Sequence, residues 1–70
     1  MRPPYGVDVA PVGQACEAAA HGDAPVAAVV RTQDGSFWCA VHWWPLAVAI
    51  QGDGLAVAYS ATAWARLCGG

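Results

Sequence analysis

A small α+β domain is predicted, with an N-terminal helix packed on a four-stranded antiparallel β-meander and a short C-terminal helix or tail. Three observations predict it. Turn residues stand at Asp34-Gly35 and again at Gly52-Asp53-Gly54, each between mostly apolar arms. An alanine-rich stretch with helix-ending residues lies upstream of both. The 70-residue chain has room for one domain only.

Residues 1–8 contain Pro3, Pro4 and Gly6, which fix or free the backbone in ways that favour an extended arm. Residues 9–22 read as the helix: Asp8 is a candidate N-cap, Pro11 falls in the first turn, His21 sits near the C-terminal dipole and Gly22 suits a left-handed cap. Residues 25–59 read as two hairpins. In the first, a two-residue type I′ loop at Asp34-Gly35 pairs Arg31 with Trp38 and Val30 with Cys39. That register places Arg31, Trp38, His42 and Trp44 on one face and Phe37, Cys39, Val41 and Trp43 on the other. In the second, Leu46-Ala47-Val48-Ala49-Ile50 and Leu55-Ala56-Val57-Ala58-Tyr59 nearly repeat each other, and pairing Ile50 with Leu55 gathers the large side chains on one face. Two helical readings compete in this region, one opening at Pro45 and one running from Leu55 to Leu67. Within residues 60–70, Ser60 or Thr62 can cap a helix from Ala61 to Cys68, with Trp64 and Leu67 on one side.

Composition excludes several functions. The chain has three basic residues (Arg2, Arg31 and Arg66) against five acids, for a net charge of −2, so no basic stripe is available to a phosphate backbone. Direct nucleic-acid binding is therefore not expected. Within the longest run free of charge and glycine, the stretch between its polar ends, Phe37 to Ile50, covers fourteen residues and falls short of the ~20 that cross a bilayer. No secretory leader is visible, and a cytoplasmic location in a bacterial host is expected. The odd cysteine count, Cys16, Cys39 and Cys68, points to reduced thiols, with a disulfide between two of them as the alternative.

No catalytic constellation emerges, and an enzyme is not expected. Gly52-Asp53-Gly54 lacks the following Lys and helix of a phosphate loop and reads as a turn. Cys39-Ala40-Val41-His42 has C-x-x-H spacing, but on a strand an offset of three sends the two side chains to opposite faces, about 10 Å apart along the chain. It reads as a buried thiol beside a half-exposed histidine, while Cys16 and His21 could join only through the tertiary fold. No metal or other cofactor is expected on these grounds.

The face holding Arg31, Trp38, His42 and Trp44 is the candidate binding surface, because Trp and Arg dominate interface hot spots. Its competing reading is a second core face covered by the N-terminal helix. A chain this small supplies only ~3–5 kcal/mol from its own core, so another protein or a second copy is the expected partner. The predicted role is a non-catalytic protein-binding module, such as an inhibitor carried by a phage or mobile element, or an accessory subunit of a larger assembly. The closing Gly69-Gly70 resembles the terminus of ubiquitin-like sulfur-carrier proteins. That resemblance, over two residues, implies a carrier whose terminal carboxylate is adenylated and thiolated.

Overall fold

The computed structural model describes residues 3–69 as a mixed sheet covered on one face by two helices. The sheet has four strands, β1 (Tyr5–Val9), β2 (Val30–Thr32), β3 (Phe37–Trp38) and β4 (Val57–Tyr59), in the order β3-β2-β1-β4. The helices are α1 (Ala40–Gly52) and α2 (Ala61–Cys68). The α+β class is as predicted, but the first helix is central rather than N-terminal. The sheet is also not a pure meander, since β1 runs parallel to β4, with Tyr5 opposite Val57 and Val7 opposite Tyr59.

The expected N-terminal helix is corrected, and the extended arm before it is built into the sheet. Tyr5–Val9 is a central strand, bonded on one side to β2 and on the other to β4. Beyond it, Pro11 removes an amide donor and Gly13 takes a φ of 95°, so the backbone leaves any helical path. What remains of the predicted helix is one 3-10 turn, Ala19–His21, closed by Gly22. The segment from Ala10 to Val29 is otherwise irregular, anchored by a bridge between Ala15 and Ala27.

The first hairpin forms in a different register. Arg31 faces Phe37 and Val30 faces Trp38, so the loop is Gln33-Asp34-Gly35, one residue longer than predicted. No non-glycine residue has positive φ among the described residues, which excludes type I′ at Asp34, while Gly35 has a φ of 88°. This is the three-residue loop with a left-handed glycine at its end. A one-residue slip exchanges the faces. Trp38 moves inward with Val30, and Phe37 moves outward with Arg31.

The second predicted hairpin does not form. The chain turns helical at Ala40 and stays so through Leu46-Ala47-Val48-Ala49-Ile50, ending at Gly52. Only Val57–Tyr59 of its predicted arms is a strand. Trp43 and Ala47 are buried on the inner side of α1, with Leu46 and Ile50 beside them, a spacing of one helical face. They meet Val7, Val30 and Ala63 in a core whose fully buried large side chains are Trp43 and Val30. Trp43 Nε1 donates to the Tyr59 hydroxyl at 3.1 Å, so the indole is buried with its polar atom satisfied. The C-terminal helix is as predicted: the Ser60 hydroxyl accepts from the Ala63 amide at 3.1 Å. Among the described residues no helix is long and apolar enough to cross a membrane.

Candidate metal centre

Two cysteines and two histidines converge where the irregular segment meets the start of α1. One ligand atom from each of Cys16, His21, Cys39 and His42 can be chosen so that all four lie within 4.8 Å of one another. Their placement follows from local structure. Cys39 is the N-cap of α1 and His42 lies in its first turn, so the C-x-x-H pair is read on a helix rather than on a strand. Three residues apart on a helix is the same face. The helix therefore brings together two side chains that the expected strand would have sent to opposite faces.

The other two ligands arrive on the irregular segment. Cys16 is fixed by its amide, which donates to the Val26 carbonyl at 2.8 Å. Next to it, Glu17 clamps the outer edge of the sheet: its amide donates to the Phe37 carbonyl at 2.9 Å, and its carboxylate accepts from the Phe37 amide at 2.7 Å. This clamp sets Cys16 against the strand that runs directly into Cys39. His21 is delivered by the 3-10 turn, where its amide donates to the Ala18 carbonyl.

Four of the six ligand separations lie near the edges of one tetrahedral ion, and the other two stay within 4.8 Å. Cys39 Sγ lies 3.5 Å from His21 Nε2 and 3.4 Å from His42 Nδ1, Cys16 Sγ lies 3.9 Å from His42 Nδ1, and the two ring nitrogens are 3.0 Å apart. Zinc bonds of about 2.3 Å to sulfur and about 2.0–2.1 Å to nitrogen give tetrahedral edges of about 3.6 Å for S–N, about 3.8 Å for S–S and about 3.3–3.4 Å for N–N. Hydrogen bonding alone does not account for the cluster. His42 Nδ1 faces Cys16, Cys39 and His21 at once, yet a ring nitrogen carries either one proton or one lone pair. An ion at the centre would satisfy all four groups together. The imidazole rings meet nearly edge-on, with centroids 4.4 Å apart and planes 81° apart. Cys39 is buried while the other three ligands are half-buried. The partial positive charge at the start of α1 complements anionic sulfur there.

The residues expected to form one binding face are separated. Arg31 lies on the open face of the sheet, its Nη2 3.9 Å from Asp8 Oδ2, with both side chains about half exposed. Trp38 packs against the core, and His42 belongs to the four-residue cluster. Trp44 stands on the outer side of α1, where it meets Tyr59 and Trp64 with ring centroids 6.3 Å away in each case. Tyr59 and Trp64 are themselves 5.0 Å apart. Of the carrier terminus, Gly69 closes α2 by donating its amide to the Ala65 carbonyl at 2.7 Å, and Gly70 lies outside the described residues.

Two spacings signal the cluster, C-x4-H at Cys16 and His21 and C-x-x-H at Cys39 and His42. Neither matches a common zinc-finger spacing, and neither half is sufficient alone. Compared with known proteins, the chain matches no family model, no curated protein and no solved structure.

Proposed function

We propose that this chain is a small zinc-stapled domain that acts by binding another protein, with the metal in a structural and not a catalytic role. The observation that carries this reading is the convergence of Cys16, His21, Cys39 and His42 within 4.8 Å. Four protein ligands complete a zinc ion's coordination and leave no position for a substrate or an activated water, which is the pattern of structural sites. The ion ties the irregular segment to the start of α1, joining parts of the chain that the small core does not hold together.

Protein binding is supported by the surface away from the metal. Val41, Trp44 and Val48 are exposed along the outer side of α1, and Trp64 of α2 lies beside Trp44. A helix that is apolar on all sides is ordinarily covered on all sides. Exposed aromatic rings of this kind are favoured anchors at interfaces. A sulfur-carrier role is the weaker reading, because Gly69 is held in the cap of α2 and not on a free extension.

Cobalt(II) titration of the metal-free chain tests the metal. The reading predicts saturation at one ion per chain, with a thiolate-to-cobalt charge-transfer band and the intense visible bands of tetrahedral cobalt, all abolished by one equivalent of zinc. Weak octahedral spectra, or spectra unchanged in Cys39→Ser and His21→Ala, would contradict it.

A further inference from the structure

We infer that the metal centre is also a peroxide-responsive switch, in which Cys16 and Cys39 form a disulfide and the zinc ion leaves. The inference rests on the metal reading above and adds its regulation. The two sulfurs are the pair that one ion brings together, their Sγ atoms within 4.8 Å, whereas the exposed Cys68 is not part of the cluster. They differ in a useful way. Cys16 is half-buried on an irregular segment, so an oxidant can reach its sulfur. Cys39 is buried and fixed as the N-cap of α1, the position of a resolving thiol that is shielded from the first attack.

The chemistry balances with a hydroperoxide as the oxidant. The Cys16 thiolate attacks the peroxide, taking one oxygen to become a sulfenic acid and releasing hydroxide. The Cys39 thiolate then attacks the Cys16 sulfur, forming the S–S bond and expelling a second hydroxide. Two thiolates, one hydrogen peroxide and two protons become one disulfide and two waters, the two electrons passing from sulfur to peroxide. The zinc ion keeps its charge and loses both anionic ligands. His21 and His42 alone are a poor donor set, so it dissociates. The new bond still ties Cys16 to the start of α1, while the turn carrying His21 is released. Oxidation thus exchanges a four-point staple for a two-point one.

The test treats the zinc-loaded full chain with hydrogen peroxide, following released zinc with a chromogenic chelator and mapping disulfides by mass spectrometry. The expected result is one zinc released per Cys16–Cys39 disulfide, reversed by a dithiol reductant and added zinc, and unchanged in Cys68→Ser. Cys16→His keeps a four-ligand set while removing the first thiol, so zinc should remain bound and peroxide-driven release should slow at least about tenfold. Zinc release accompanied by sulfinic acid or by Cys68-linked disulfides would overturn the inference and leave the metal site standing. So would an ion retained while Cys68 oxidises. A chain that holds no zinc before peroxide is added overturns both.

Discussion

With φ at 88°, Gly35 holds a backbone conformation that a β-branched residue cannot adopt without strain, and it does so at the tip of the hairpin that leads into Cys39. Gly35→Val is expected to cost more than about 1 kcal/mol, read as a shift in the denaturation midpoint at unchanged slope. Beside it, Asp34 accepts a hydrogen bond from the Thr32 hydroxyl, and this bond, with smaller help from the Ser36 amide, lowers its pKa from the ordinary 3.8. A carboxylate depressed in the folded state binds its proton first in the unfolded chain. Its contribution is therefore complete above pH 3.8 and drains as pH falls through the lowered folded value. Asp34→Asn should flatten that acid limb in melts recorded across the window, and an unchanged limb would count against the hydrogen bond. The turn was legible from Asp34-Gly35, but its length was not. The same dipeptide serves two-residue and three-residue loops, and the choice reversed the faces of Phe37 and Trp38.

Leu46-Ala47-Val48-Ala49-Ile50 lies in α1, whereas the near-identical Leu55-Ala56-Val57-Ala58-Tyr59 enters β4. Leu and Ala favour helix, Val and Tyr favour strand, and the difference between two such segments is too small for local propensity to decide. Tertiary contacts decide: Trp43, Ala47 and Ile50 offer a helical face to the core, while β4 bonds to the free edge of β1, with the Tyr5 amide donating to the Ala56 carbonyl at 2.8 Å. Ser60 announced α2 because a side-chain cap is local. Little local announced α1: Cys39 gives it no side-chain capping bond, and Pro45, read from sequence as the opening of a competing helix, lies inside it. Pro45 removes the amide that would bond to the Val41 carbonyl on the exposed side of the helix. Pro45→Ala is accordingly expected to raise stability by about 1–3 kcal/mol, and a loss of stability would mean that the proline ring is needed for packing. On the aromatic surface shared by α1 and α2, Trp44→Ala or Trp64→Ala should weaken partner binding by about 2 kcal/mol in an affinity titration while the melt stays close to that of the parent. Trp38→Ala should do the opposite, because Trp38 packs on the core.

The whole molecule has few buried side chains for its length. Its core cluster is Val7, Val30, Trp43, Ala47 and Ala63, and the segment from Ala10 to Val29 has one 3-10 turn as its regular structure. An irregular stretch of that length in a compact domain ordinarily has a functional or ligand-dependent reason to be ordered. The proposed metal staple would supply one, since structural zinc in small domains contributes about 10–16 kcal/mol of apparent binding free energy at neutral pH, well above what a core of this size gives alone. That a core this small invites a staple or a partner was legible from length. The site was not, because its halves sit eighteen residues apart in sequence, from His21 to Cys39, and meet only once the hairpin and α1 have formed. Metal analysis of the purified chain, coupled to its thermal melt, tests this account most directly. It predicts one zinc per chain and a melt that collapses when a strong chelator removes the ion and returns when zinc is restored. A metal-free monomer that unfolds cooperatively at the same temperature with zinc, with chelator or with neither would contradict it.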